Sequence, residues 1–146
     1  MTTTWVAELA DALGSDSVLT DPDVTASYAR DQAVLAEAGT PAAVVLPRST
    51  AEVVAVMQIA ARHGVPVVPR GAGSGLVGAS NAVDGGITMV LTRMDAVLEV
   101  SAADRLAVVQ PGVVNKSLRD AVARPGCSTR RTQPAMTGAP SAATWP

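Results

Sequence analysis

The chain has 146 residues, a net charge of −2 and 48% hydrophobic residues, which suits one domain with a packed core. This charge gives no electrostatic case for nucleic-acid binding, and no apolar run approaches the ~20 residues of a membrane-spanning helix. The N-terminus lacks the basic and apolar regions of a signal peptide, and the single cysteine, Cys127, allows no intrachain disulfide or cysteine metal cluster. We therefore expect a cytoplasmic protein.

The first half of the chain predicts helices and strands in alternation. A helix is expected over residues 4–13, ending at Gly14, and the sequence at 21–23 (Asp-Pro-Asp) indicates a turn or a helix start. The continuous apolar run 42–46 predicts a strand buried on both faces.

A helix and a second strand are predicted after this run. Ser49 and Glu52 have the spacing of a capping box, in which each side chain accepts the other's free N–H, and Gly64 ends the helix. The strand at 65–68 then completes a strand–helix–strand unit. The apolar face of the helix is predicted from four residues: Val53, Val56, Met57 and Ala60.

Three polar side chains in this half are assigned structural roles. Tyr28 and Asp31 lie near the end of a short helical stretch, where nothing nearby forms a catalytic set. We expect Tyr28 to pack in the core and Asp31 to be a cap or a surface acid. His63, the only histidine, is in the last turn of the second helix, where it favours the negative end of the helix dipole.

The most informative stretch is a glycine-rich loop directly after the 65–68 strand. It holds Gly71, Gly73, Gly75 and Gly78, which permit positive φ angles and leave N–H groups unshielded. Consecutive exposed N–H groups form an anion site, so the loop predicts a phosphate cradle for a diphosphate-bearing cofactor. The alternative is a connection that binds nothing. Arg70 precedes the loop and could pair with a phosphate or with an acid of the same domain.

Two common nucleotide-binding motifs do not fit this loop. A Walker loop requires a lysine at its end, but the only lysine, Lys116, lies far away. Gly73, Gly75 and Gly78 match the spacing of a Rossmann fingerprint, but residues 79–86 have turn character where that motif needs a helix. The spacing match is therefore interpreted as accidental.

The remainder of the domain predicts strands and one more helix. A strand is expected at 87–91, and the runs 97–100 and 106–110 indicate a hairpin. Pro111-Gly112 breaks the last strand, and Asn115 can cap a following helix. A mixed α/β (α+β) domain with strands flanking the glycine loop is the predicted architecture.

The glycine loop carries a family resemblance. Residues 69–78, Pro-Arg-Gly-Ala-Gly-Ser-Gly-Leu-x-Gly, resemble the phosphate loop of FAD-linked oxidases of the vanillyl-alcohol-oxidase type, which have a PCMH-type FAD-binding domain. Flanking motifs occur in the same order: Tyr-x-x-Asp at 28–31, Ala-Val-Val-Leu-Pro-Arg-Ser-Thr at 43–50 and Pro-Gly-Val at 111–113. The similarity covers about residues 20–123, and the subgroup most similar is that of glycolate oxidase and D-lactate dehydrogenase flavoprotein subunits.

This resemblance implies a cofactor and a reaction. It implies non-covalent FAD, with the pyrophosphate gripped by the loop backbone and the flavin close to the backbone around Gly112. It also implies an enzyme that oxidises a small 2-hydroxy acid by hydride transfer to the flavin. Catalytic residues of the family lie beyond the matched part, so none is assigned, and no metal is implied. The cofactor-binding residues expected by resemblance are Pro69, Arg70, Gly71, Ala72, Gly73, Ser74, Gly75, Gly78 and Gly112.

The chain changes character at Arg124. Residues 1–123 carry 8 basic and 13 acidic side chains, whereas residues 124–146 carry three arginines and no acid. This segment, rich in Pro, Ala, Thr and Arg, is either a disordered tail or a frameshifted reading of a GC-rich gene. A one-base shift with permitted codons converts it to Gly-Leu-Phe-Tyr-Pro-Pro-Asp and later Gly-Gly-Asn, which resembles the family's second flavin-binding segment.

The expected organisation is therefore a partial PCMH-type domain over residues 1–123 and a non-native tail over 124–146. Because the substrate part of the family is absent, we expect this chain to be inactive on its own. Two alternatives stay open: a stand-alone nucleotide-binding module without catalysis, and a structural domain without a ligand.

Overall fold

The computed structural model describes residues 4–123; the predictions for the tail at 124–146 and for Cys127 lie outside the described residues. None of the helices in the described part of the chain is long and apolar enough to cross a bilayer. Besides a short 3-10 helix (Ser15–Ser17), the elements of residues 4–123 are α1 (Thr4–Leu13), β1 (Val18–Leu19), α2 (Pro22–Ala26), β2 (Ala43–Val45), α3 (Thr50–His63), β3 (Val67–Arg70), β4 (Ile87–Val90), β5 (Val97–Ser101), β6 (Leu106–Val109) and α4 (Asn115–Ala123).

The main sheet is mixed and has the strand order β1-β2-β4-β3. Strands β2, β4 and β3 are parallel, and β1 pairs antiparallel with β2. The predicted α/β fold class is confirmed. The strand–helix–strand unit is present, but β4 lies between its two strands and pairs with both. Because the three parallel strands end at the same edge, the loop that leaves β3 begins at that edge.

One face of the sheet is covered by α1 and α3. The predicted core face of α3 is partly wrong, because Met57 is 47% exposed and Ile59 is buried. Val56, Ile59 and Ala60 follow the i, i+3, i+4 spacing of a helix face turned toward the sheet. The buried residues of this core are Trp5, Leu9, Ala43, Val45, Val56, Ile59, Ala60, Ile87 and Met89.

The opposite face of the sheet buries Val44, Leu46 and Val90, with Tyr28 packed against them. The predicted packing role of Tyr28 is confirmed, although α2 already ends at Ala26. The helix was expected to reach this residue, but Tyr28 lies in the turn that follows.

The ends of α3 and of β3 refine the predicted boundaries. Ser49 Oγ accepts from the Glu52 N–H at 3.2 Å, but the Glu52 carboxylate accepts from the Arg48 N–H at 2.8 Å, one residue before the expected partner. Gly64 ends the helix at φ 64°, as predicted. The strand expected at 65–68 begins two residues later, because the Val65 N–H still caps α3 by donating to the Ala60 carbonyl.

The predicted hairpin is confirmed. Strands β5 and β6 pair antiparallel with a bulge between Val97 and Glu99, and they form a separate two-stranded sheet. One of its faces packs on α4 through Leu118 and Val122. A two-stranded sheet is marginal on its own, so this helix supplies the apolar cover that the hairpin needs.

A polar cluster joins α1 to the last turn of α3. The Glu8 carboxylate accepts from the Arg62 guanidinium and lies 2.9 Å from His63 Nε2. His63 therefore has the structural role expected, with a partner that the sequence did not reveal. The hydrogen bond from Arg62, followed by that from His63, lowers the pKa of Glu8.

The first prediction concerns the α1–α3 core. Leu9→Ala removes a fully buried side chain, so the free energy of unfolding should fall by about 2–5 kcal/mol in urea titrations. Val54→Ala, at a half-exposed position of α3, is the control and should change it by less than about 0.5 kcal/mol. Equal losses for the two variants would contradict the assignment of this core.

The second prediction concerns pH. Because the folded-state pKa of Glu8 is lowered, its contribution to stability is present above the unfolded pKa and is lost as pH falls through the folded pKa. Glu8→Gln should therefore lower the urea midpoint at pH 7, and the difference from the wild type should vanish in the acidic range below about pH 4. A difference that is independent of pH would contradict the ion-pair origin.

Candidate functional site

The glycine loop, residues 71–80, leaves β3 at the edge where the parallel strands end. In doubly wound sheets this edge is where ligands bind. Within residues 4–123, no backbone N–H of the loop donates a hydrogen bond to a protein acceptor. Ala72, Ser74 and Gly75 are exposed. The loop therefore offers a row of backbone donors to a ligand, which is the chemistry of an anion cradle.

Two of the glycines are required by the geometry. Gly73 has φ 70°, and a Cβ there would lie 2.1 Å from Arg70 Nη2. Gly78 has φ 76°, and a Cβ there would lie 2.7 Å from Ala36 Cβ. A residue with a side chain fits neither position without displacement, so the sequence needs glycine for this close approach of segments.

Arg70 is buried under the loop. Its guanidinium donates to the Arg30 carbonyl at 2.9 Å and to the Ser80 carbonyl at 3.4 Å. These main-chain acceptors are neither the phosphate nor the acid that the sequence analysis considered. Arg70 therefore joins both ends of the loop to a neighbouring segment through the Arg30 carbonyl.

That segment, residues 29–40, runs alongside the loop, and the sequence did not predict this. Asn81 connects the two: its Oδ1 accepts from the Asp31 N–H at 2.8 Å, and its Nδ2 donates to the Glu37 carbonyl at 2.9 Å. Asn81 is buried, and the only sequence signal for it is a polar residue between a loop and an apolar strand.

Asp31 was expected to be a cap or a surface acid near a helix end, but α2 ends at Ala26, and Asp31 instead closes a turn and borders the loop. Its Oδ1 accepts from the Ala33 N–H at 2.8 Å, which closes a turn. Its Oδ2 would lie 3.1 Å from a Cβ placed on Gly75. Because a carboxylate repels an anion, this side of the loop is electrostatically unfavourable for a phosphate.

The remaining predicted site residues are placed as follows. Pro69 is exposed in β3 and leads into the loop with Arg70, Gly71 and Ala72. Gly112 follows β6 and is buried against the turn after β4: its N–H donates to the Met94 carbonyl at 2.8 Å, and a Cβ on it would lie close to the Leu91 carbonyl oxygen, at 2.4 Å. Its expected proximity to the flavin stays a prediction.

The observed donor set fits a diphosphate and not a metal. No group of three or more His, Cys, Asp or Glu side chains within the described residues 4–123 is arranged to hold a metal ion. Backbone N–H groups donate only, so they suit the oxygens of a phosphate or diphosphate. Because this fit depends on glycine at positions where a Cβ would collide, it is specific to the loop.

A third prediction follows from the packing of Gly73 on Arg70. Gly73→Ala forces a Cβ into the guanidinium and should destabilise the fold by at least about 1 kcal/mol more than Gly64→Ala. Gly64 is the matched control, since it has φ 64° and an added Cβ would meet nothing within 4 Å. Similar urea midpoints for both variants would show that close packing of Gly73 on the Arg70 guanidinium does not matter for stability.

Comparisons with known proteins agree with this geometry. A family model described as an FAD binding domain matches residues 41–140. An uncharacterized FAD-linked oxidoreductase of Mycobacterium tuberculosis is 38% identical over 120 residues, which are 82% of this chain and 26% of that protein. The glycolate oxidase subunit GlcD of Escherichia coli is 41% identical over 83 residues, covering 57% of this chain and 17% of that protein.

The solved structure of 4-ethylphenol oxidase from Gulosibacter chungangensis matches with a TM-score of 0.78 at 29% identity, covering 93% of this chain and 27% of that one. The chain thus spans about a quarter or less of the length of these proteins. The predicted resemblance is confirmed: the chain belongs to the FAD-binding-domain family, the PCMH-type domain of FAD-linked oxidoreductases.

Proposed function

We propose that this chain binds the diphosphate of FAD on the backbone N–H groups of residues 71–80. The observation that carries the proposal is a row of backbone donors without a protein acceptor, at the carboxyl edge of a parallel sheet. The residues proposed to line the site are Pro69, Arg70, Gly71, Ala72, Gly73, Ser74, Gly75 and Gly78, with Gly112 toward the flavin.

We propose that the residues of the site bind and orient the FAD diphosphate. When bound, FAD supplies an acceptor for hydride. The loop N–H groups stabilise the negative charge of the diphosphate by hydrogen bonding, and Arg70 supports the loop by holding the Arg30 and Ser80 carbonyls. Asp31 limits the anion to one side of the loop. No described side chain is assigned an acid–base role.

We propose a 2-hydroxy acid as the substrate class of the complete enzyme. The support is the similarity to a glycolate oxidase subunit, together with the glycine loop and its flanking motifs. Substrate oxidation would need parts of the protein beyond the quarter that the chain spans. The 146-residue chain is therefore proposed to bind cofactor in the cytoplasm without turning over substrate.

A related proposal is that residues 124–146 arise from a shifted reading frame. It rests on the loss of acidic residues after Asp120 and on the Gly-Gly-Asn sequence that appears in the alternative frame. Sequencing the DNA from codon 120 onward tests it. An open alternative frame that continues with family sequence supports the proposal, and an interrupted one shows that the tail is authentic.

The fourth prediction uses a series of flavins that differ in phosphate content. Titration of the 146-residue chain should give affinities in the order FAD, FMN, riboflavin, with FAD at least about tenfold tighter than riboflavin because of its charge-assisted hydrogen bonds. Flavin fluorescence gives the readout. Equal affinity for riboflavin and FAD would contradict binding at the loop.

ADP serves as the control in this series, because it carries the diphosphate without the flavin. Displacement of FAD by ADP is expected if the loop binds the diphosphate. If ADP binds as tightly as FAD, the flavin contributes nothing, and the chain is a nucleotide-binding module of the alternative kind.

A further inference from the structure

We propose that residues 30–33, here called the strap, are a positioning element that aims the Leu76 N–H of the glycine loop at the cofactor diphosphate. This inference deepens the proposed function and rests on it. The Tyr-x-x-Asp motif at 28–31 overlaps the strap, but the sequence gives no sign that the strap contacts a loop about 40 residues later.

Both polar groups of one peptide unit in the strap, the one between residues 30 and 31, are held by hydrogen bonds. The Arg30 carbonyl accepts from the Arg70 guanidinium at 2.9 Å, and the Asp31 N–H of the same peptide donates to Asn81 Oδ1 at 2.8 Å. Both partners are buried. With both of its polar groups held, this peptide cannot rotate without breaking a hydrogen bond to a buried side chain, which is costly.

The next peptide unit of the strap contacts the loop directly. The Gln32 N–H donates to the Gly75 carbonyl at 2.9 Å. The Asp31 carboxylate strengthens this geometry, because it accepts from the Ala33 N–H and holds the turn in which Gln32 lies. The strap therefore places one donor at one defined carbonyl of the loop.

The direction of the Leu76 N–H follows from peptide geometry. In a trans peptide the carbonyl of one residue and the N–H of the next point in opposite directions, and no cis peptide occurs in the described residues. Because the Gly75 carbonyl points at the strap, the Leu76 N–H points away from it. This N–H has no protein acceptor within residues 4–123, and Gly75 beside it is exposed.

The negative charge of Asp31 also favours an anion on the side of the loop away from the strap. The Asp31 carboxylate lies beside Gly75, with Oδ2 3.1 Å from the position of an added Cβ, so an anion is repelled from this flank of the loop. The Leu76 N–H points away from the strap that carries this carboxylate. Glycine flexibility alone would allow this peptide to flip, and the strap prevents it.

The test compares Gln32→Pro with Gln32→Ala in the 146-residue chain. Proline removes the N–H that holds Gly75 and also restrains the backbone at residues 31 and 32, whereas alanine keeps the N–H and removes a side chain that is exposed. Inorganic pyrophosphate is the probe. Gln32→Pro should weaken its binding by about tenfold or more, and Gln32→Ala should leave it within about twofold of the wild type.

An amide NMR signal distinguishes positioning from a general structural effect. Pyrophosphate should shift the Leu76 amide resonance in the wild type and in Gln32→Ala, but not in Gln32→Pro. Leu9→Ala is the stability control: it should lower the unfolding midpoint while leaving both the affinity and the Leu76 shift unchanged below that midpoint.

A second variant covers the case in which Gln32→Pro does not fold. Asn81→Ala frees the Asp31 N–H and should weaken pyrophosphate binding in the same way. Folded Gln32→Pro or Asn81→Ala that binds pyrophosphate with wild-type affinity and shows the Leu76 shift would overturn the positioning role of the strap. The proposed function would be unaffected by that result. If the wild type itself binds neither FAD nor pyrophosphate, the proposed function fails, and the strap with it.

Discussion

The guanidinium of Arg70 is the interaction on which the candidate site depends. It lies buried at the end of a parallel strand and donates to carbonyls of Arg30 and Ser80, which belong to segments far apart in sequence. A guanidinium donates hydrogen bonds and accepts none, so a buried one needs acceptors such as main-chain carbonyls around it. By holding the Ser80 carbonyl and the Arg30 carbonyl together, Arg70 fixes the end of the glycine loop against the segment that contains Arg30.

The elements of the fold were largely predictable, because their signals are local. Apolar runs located β2 and β4, the hairpin of β5 and β6 followed from two short runs, and Gly64 marked the end of α3. The errors were at positions decided by tertiary packing. Met57 and Ile59 are both apolar and both near the predicted helix face, and the packing of α3 on the sheet and on α1 decides which of them is buried.

The glycine loop of the site was predictable from the sequence, but the side chains that hold the loop in place were not. Glycine spacing and the family resemblance identify residues 69–78, and the family assignment is confirmed. The role of Arg70 as a bridge between carbonyls, and that of Asn81 as an anchor, depend on main-chain groups whose partners lie tens of residues away. Every residue has a carbonyl and nearly every residue an N–H, so no sequence pattern specifies which of them are joined.

The central claim is that the diphosphate of FAD binds on the N–H groups of the glycine loop. Amide resonances of isotopically labelled chain, followed during titration with FAD, test it most directly, since each loop N–H reports its own hydrogen bond. If the diphosphate binds there, the largest shifts should occur at residues 71–80, with small changes in α1 and α3. Saturable FAD binding with shifts confined to other surfaces, such as the β5–β6 hairpin, would contradict it.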